Sequence, residues 1–392
     1  ADDPFPVALP LLDRVILRGS AMLASDIDAA GVDGAFRGLW TDEAGLCDMT
    51  IRDSDGSAVT ATFSSLFVER CKFDANSEAG SGGGLAVSGG ITVVDDCWFN
   101  QNFAGSNGGA VDIRQYGTLI LTRSLFEANT AGSNGGAVST WLTRGWAHDC
   151  IFTGNAGLQG GAWAARQSDE FQISGSRFLY NTADLGAGLW MQQGEYSLID
   201  CLVADNNVLV GNGVNAHGGG LHIDGCDVSI TNCTIAGNTV MGFSRISGGG
   251  MCAVGNAVVT ILDSIIRNNT APEGFDIQVG FRWSSAELAV EYSNLDLTDP
   301  GAVGIAAGST LIPGEGIQDS DPLFVHDTYP WQLSSTWSGQ AVDSPCIDAG
   351  SDPAVRITYL TPLRIENMGR RTTESGRFPD LYIVDLGYHA DP

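Results

Sequence analysis

One set of positions places residues able to do chemistry at a regular interval. Asp112 and Arg114, Ser139 and Trp141, Ala164 and Arg166, Trp190 and Gln192, and His222 and Asp224 stand at matching places in successive segments. Such a row suits a sugar, because Trp rings stack on pyranose faces while guanidinium, amide, imidazole and carboxylate groups bond its polar substituents. Bond cleavage asks for more. β-Elimination of a uronate polymer requires a Lys or Arg base beside a carboxylate-bound Ca²⁺, and glycoside hydrolysis requires carboxylates at a set separation. The row holds no convincing Asp cluster, and the single lysine, Lys72, lies elsewhere. The simplest reading of the row is ordinary exposed surface or a packing face for the C-terminal region; its candidate function is glycan or partner binding, ahead of catalysis, and no catalytic residue is assigned. Two acidic loops, Asp53-Ser54-Asp55-Gly56-Ser57 and Asp319-Ser320-Asp321, offer Asp53, Asp55, Asp319 and Asp321 to Ca²⁺, although solvated turns are the simpler reading. No other cofactor is implied.

The elements that must position this row are strands stacked by a repeat. Asn76, Asn102, Asn129, Asn155, Asn181, Asn206, Asn238 and Asn269 each stand five residues after a Cys or Ser and three after an apolar residue such as Phe73, Phe99, Phe126, Phe152 or Phe178. The Cys/Ser slot recurs at steps of 25 to 32 residues, so one supersecondary unit stacks on the next. A glycine-rich turn follows each Asn and leads into a short apolar strand, as in Gly108-Gly109-Ala110-Val111 and Gly135-Gly136-Ala137-Val138. Local alternation has strand period, as at Leu119, Leu121 and Ser124, and no helical period of useful length occurs. Each unit therefore reads as one coil of a parallel β-helix, with like residues ~4.8 Å apart along the axis. The Phe slot is expected to be a core stack, and the Asn slot a turn whose amide bonds the coils above and below in a left-handed backbone. Alternation after the glycine turn points the chemical row outward.

Composition and ends complete the outline. With 46 acidic against 19 basic residues the net charge is -27, which disfavours nucleic acid and anionic membrane surfaces as partners. No run of about 18 apolar residues suggests membrane insertion. The first residues, Ala1-Asp2-Asp3, lack Met, which points to export with a removed signal peptide. Nine cysteines cannot all pair, and reduced, packed thiols are favoured over disulfides because Ser replaces Cys in three of eight slots. Three regions are expected: an N-terminal cap or exchanged strand over 1–33, β-helix coils over 34–295, and a loop-rich C-terminal cap over 296–392. The N-terminal segment, apolar from Phe5 to Leu17, covers its own first coil or docks on a neighbour to build a head-to-tail homo-oligomer.

Repeats of the form FxxN followed by GGA[IV], seen as Phe99-Asn102 with Gly108-Val111 and as Phe126-Asn129 with Gly135-Val138, resemble those of bacterial polymorphic outer-membrane proteins. They also resemble secreted right-handed parallel β-helix proteins of the pectate-lyase-like superfamily. Asp321-Pro322-Leu323-Phe324, Ser344-Pro345-Cys346-Ile347-Asp348-Ala349-Gly350 and Asp385-Leu386-Gly387-Tyr388 are similar to the tails of bacterial surface β-helix proteins. Ala216-His217-Gly218 is only faintly similar to the Gly-His-Gly of polygalacturonases, without the paired Asp that accompanies it there. The fold implied is all-β: a single-stranded right-handed parallel β-helix, or solenoid, with an N-terminal cap and an irregular C-terminal region. The function expected is an extracellular structural or adhesive protein of the bacterial surface, self-assembling end to end; the alternative is a lyase or hydrolase acting on an acidic glycan.

Overall fold

The computed structural model describes residues 9–10, 15–22, 25–41, 43–209, 216–242, 246–325, 331–336, 340–352, 358–360, 365–367 and 385–388. Among them there is no α-helix, and nearly all strand pairing is parallel. The chain divides into two compact units, Ala1–Phe171 with Phe178–Gly194, and Gln172–Arg177 with Glu195–Pro392.

In the first unit each coil contributes three short strands, so three parallel faces surround one core. The first face stacks Leu9–Pro10, Phe36–Leu39, Val59–Thr62, Leu85–Ser88, Val111–Arg114 and Val138–Trp141 in register. Ile16–Arg18, Ala44–Cys47, Leu66–Glu69, Ile91–Asp95, Thr118–Thr122 and Arg144–His148 make the second. Asp26–Asp28, Thr50–Arg52, Lys72–Asp74, Trp98–Asn100, Leu125–Glu127 and Ile151–Thr153 make the third. Parallel coil pairing thus takes in residues 9–10, 16–18 and 26–28; residues 1–8, 11–14 and 23–24 lie outside the described residues.

Two ladders hold these coils in register. Phe73, Phe99, Phe126, Phe152 and Phe178 are fully buried, and successive rings lie 4.7 to 4.8 Å apart and within 11° of parallel. Each ring covers its neighbour, which removes both faces from water. Beside them, Asn129 Nδ2 donates to Phe99 O and to Asn155 Oδ1, both at 3.0 Å, while its own Oδ1 accepts from the Asn102 amide. The left-handed backbone belongs to the residue before each Asn, as at Ala75, Gln101 and Ala128 with φ of 54°, 53° and 53°. Bending one residue earlier turns the Asn side chain inward, where it can reach two coils. Gly135 opens the following turn at φ 65°, and a Cβ on Gly136 would sit 2.1 Å from Gly161 O, so the coils could not close over any larger residue there.

The second unit repeats the plan with aliphatic packing. Leu221–Thr231 pairs with Met251–Val254 and Ala257–Leu262, which pair with Ile277–Val279 and Ala286–Glu291, and these with Val303–Ile305 and Thr310–Pro313. Coil pairing therefore continues past residue 295. Val203, Ile235 and Ile266 fill the Phe slot. Its Asn ladder runs from Asn206 to Asn238 to Asn269, where Asp276 replaces the next Asn and accepts from both nitrogens of Asn269. The insertions after Asn206 and Asn238 start as a parallel pair, Asn207–Leu209 with Thr239–Met241; their tips, 210–215 and 243–245, lie outside the described residues.

The three tail motifs form a layer on the third face of this unit. Leu333, Cys346 and Leu386 bury Ile265, with Phe324, Ile347 and Ala349 packed around them. Trp331 Nε1 donates to Asp205 Oδ2 at 3.0 Å, and the amide of Tyr388 donates to Thr234 Oγ1 at 2.9 Å. All nine cysteines are buried and unbridged.

Candidate functional site

The predicted row splits by depth. Along the first face of the first unit, Asp112 lies beside Ser139 and Arg114 beside Trp141, with Ala164 and Arg166 next in register. The Asp112 position points away from the core, yet its side chain is only 3% exposed. Arg114 explains this: its guanidinium pairs with the Asp112 carboxylate and also reaches Ser81 in the loop of the preceding coil, bridging over the acid. Burial pushes the Asp112 carboxyl up to about 6 against the pull of Arg114, and its Oδ1 has no hydrogen-bond partner. Trp190 is likewise packed, at 4% exposure, so no sugar can lie on its face. Gln192 is half-buried.

The second position of each pair is the accessible one. Trp141 is 37% exposed and donates from Nε1 to Gln167 Oε1 at 2.8 Å, and Gln167 in turn donates to Gln193 Oε1 at 3.0 Å. The Arg166 guanidinium lies 5.9 Å from the centre of the Trp141 ring. Among the described residues it makes no hydrogen bond and no ion pair, and burial lowers its pKa from the ordinary arginine value. The nearby Asp112 carboxylate offsets part of this, but a half-buried cation with neither hydrogen bond nor ion pair is a costly arrangement, and an anionic ligand would relieve it. Beside it runs a groove of about 450 Å³ lined by Tyr116, Leu142, Arg144, Gln167, Asp169 and Glu170. Sequence reasoning missed these groove residues because they lie where the first face passes into the second, beyond the alternating positions of the row. One coil earlier the same corner is Gly89-Gly90, whereas Gln115-Tyr116 adopt φ of 59° and 61° there. That exchange of glycine for bulky residues at left-handed positions was the available signal.

In the second unit, His222 is 5% exposed and Asp224 half-buried. His217 lies 6.1 Å from the His222 ring, bonds Ser247 Oγ through Nδ1 at 2.9 Å, and is covered by Phe281 with ring centres 4.4 Å apart. Burial, together with His222 and Arg282, brings the His217 pKa down to about 3, and burial brings that of His222 to about 4. Both folded values lie below the unfolded value near 6.5, so each ring contributes stability that is complete above that pH and declines as pH falls toward 4. Replacing His222 by Gln should therefore flatten the acid limb of urea-unfolding stability, removing about 1–2 kcal/mol of the decline between pH 6.5 and 5. Parallel pH profiles for the two proteins would refute this. Asp112 and Asp276, both raised to about 6, act in the opposite direction in either protein, so only the difference between profiles reports on His222.

Three of the four Ca²⁺ candidates have carboxylates with other partners. Asp53 pairs with Arg52 at 2.6 Å, Asp319 accepts from Arg267 at 2.5 Å and from Thr298 at 3.0 Å, and Asp321 accepts from the amide of Leu323 at 2.9 Å. Asp55 is exposed, and its backbone amide donates to Val32 O on the preceding coil. Among the described residues no group of three His, Cys, Asp or Glu is placed to hold a metal ion, and no helix is long and apolar enough to cross a membrane.

Residues 57–228 match the protein family described as right handed beta helix region. The fold is a right-handed parallel β-helix. No curated protein matches the chain. Solved structures similar to it include an alginate lyase, AlyF-OU02, in complex, at 12% identity and a TM-score of 0.32, covering 80% of this chain and 85% of that one. Another is the catalytic domain of a GH87 alpha-1,3-glucanase in complex with tetrasaccharides, at 9% identity and a TM-score of 0.25, covering 79% of this chain and 64% of that one. No residue role is carried over from either.

Proposed function

We propose that this chain is an extracellular, non-enzymatic β-helix of the bacterial surface that adheres to acidic glycans through the first face of its first unit. The observation that carries this reading is the unpartnered Arg166 guanidinium beside the exposed Trp141 ring. A uronate fits both: its carboxylate satisfies the cation while its ring lies on the indole. Arg144, which also has no carboxylate partner among the described residues, lines the adjoining groove, and Asp169, Glu170 and Gln167 supply acceptors for hydroxyl groups there. In a protein of net charge -27, cations without an ion-pair partner on one face favour an anionic ligand against a repulsive background. Binding suits the geometry better than cleavage, because Asp112, the one carboxylate of the predicted row on this unit, is sealed beneath Arg114 and cannot reach a glycosidic bond.

Titration with oligogalacturonate and with alginate oligomers tests this. Wild type is expected to bind either oligomer more tightly than neutral dextran, and Trp141→Ala or Arg166→Gln each to weaken binding about tenfold, or ~1.4 kcal/mol. Affinity unchanged in both variants would remove the site. A rise in absorbance from unsaturated uronates during incubation would replace adhesion by lyase activity.

A further inference from the structure

The second unit carries a separate pocket of about 670 Å³, built around a two-residue hairpin that follows Ile277–Val279. Phe281 and Ser284 exchange backbone hydrogen bonds at 2.8 and 3.0 Å, leaving Arg282 and Trp283 at the tip. Arg282 takes φ 56° at the first central position of this turn, where glycine is the unstrained choice. The chain thus accepts backbone strain to place a guanidinium there. Among the described residues that guanidinium has no carboxylate or hydrogen-bond partner, and its one aromatic contact is Phe281, 5.4 Å away. Trp283 beside it is 99% exposed.

The pocket wall supplies acceptors. Gln278 is 5% exposed; its Nε2 is tied to Gly280 O at 2.8 Å, which fixes the amide and turns Oε1, without a hydrogen bond, toward the pocket. A Cβ at Gly304 would fall 2.3 Å from that oxygen, so glycine at this position keeps it open. Glu273 adds a carboxylate to the rim.

We infer that this pocket binds a single sugar ring bearing a carboxylate, as at the end of an acidic oligosaccharide. Arg282 meets the carboxylate, Gln278 Oε1 and Glu273 accept hydroxyl hydrogens, and Phe281 stands beside Arg282 in the pocket lining. The first-unit face takes a chain along its length, whereas this pocket takes an end. The two sites share no residue, and neither reading rests on the other.

The test uses the full chain carrying Trp141→Ala and Arg166→Gln, so that the first unit contributes nothing. The probes are a trigalacturonate and its carboxyl-reduced, neutral counterpart, followed by calorimetry and Trp fluorescence. Trigalacturonate is expected to bind at least tenfold more tightly than the neutral trisaccharide. Adding Arg282→Gly should weaken it at least tenfold while leaving Tm equal or higher, since glycine relieves the turn. That pairing separates lost recognition from lost folding. Gln278→Leu should weaken both trisaccharides together. Equal affinity for the two probes, or binding unaffected by Arg282→Gly, overturns the proposal.

Discussion

Replacing Asn129 by Ala is expected to destabilise the first unit by about 3–5 kcal/mol, among the largest losses available from any single polar side chain in the molecule. The substitution does more than delete one amide. The buried Asn102 backbone N–H loses its acceptor at 3.0 Å, Phe99 O loses its side-chain donor, and Asn155 Oδ1 loses one of two donors. Water cannot enter to replace them, since Asn102, Asn129 and Asn155 are at most 1% exposed. Orphaned buried groups cost about 1–3 kcal/mol each, and the ladder couples three coils. Asn129→Asp should be nearly as damaging, because it keeps the acceptors and loses both donors. By contrast, Asn107, half-buried in a loop where it bonds Ser81 and Asn134, should lose under about 1 kcal/mol on truncation. Urea unfolding followed by far-ultraviolet circular dichroism measures both. Similar losses for Asn107→Ala and Asn129→Ala would show that the inner ladder has no special weight.

Phe126→Ala is expected to destabilise by a similar amount, about 3–5 kcal/mol, for an apolar reason. Its ring lies 4.8 Å from Phe99 and 4.7 Å from Phe152, nearly parallel to both, and is fully buried. Truncation leaves a cavity one coil thick between two rings. The coils cannot collapse into it, because the backbone ladders hold them apart at their own spacing. Phe126→Leu should cost about 1–2 kcal/mol, as it restores most of the volume without the stacked geometry. The equivalent slot in the second unit is aliphatic, so Ile235→Val should cost only about 0.5–1.5 kcal/mol. Calorimetric Tm values would order the three variants, at roughly 2–4 °C per kcal/mol for units of this size. A Phe126→Ala protein melting with the Ile235→Val protein would dispose of the stack as a principal source of stability.

Much of the scaffold was legible because each slot is read many times. A Phe three residues before an Asn is weak information once; repeated on five coils it fixes a common direction for the side chain and a common place for the turn. The assignment of the left-handed residue was one position off for the same reason that the ladder works. The Asn side chain can bridge coils only if its own backbone stays extended, so Ala75, Gln101 and Ala128 take the bend instead. Alternation puts Asp112, Trp190 and His222 on the opposite side of their strands from the buried residues on either side of them. It could not reveal that they are covered, because the cover depends on contacts between coils: Arg114, on the same strand as Asp112, is anchored over it by Ser81 of the preceding coil, and Phe281 closes over His217 beside His222.

The tail shows the same division. Its motifs were visible as conspicuous Asp, Pro, Cys and Gly clusters, but nothing in them names Ile265, Thr234 or Asp205 as what they pack against. By itself the sequence determined the coil, its period, the inward Phe, Cys/Ser and Asn slots and the acidity that limits the choice of partner, since all of these depend on local spacing or on composition. Only the tertiary structure decided which outward side chains remain open. The surroundings of Trp141 and Arg166, and the space at Gly304 beside Gln278 Oε1, depend on neighbouring coils some 26 residues away along the chain. Those contacts follow from how coils stack in space, and no local pattern records them.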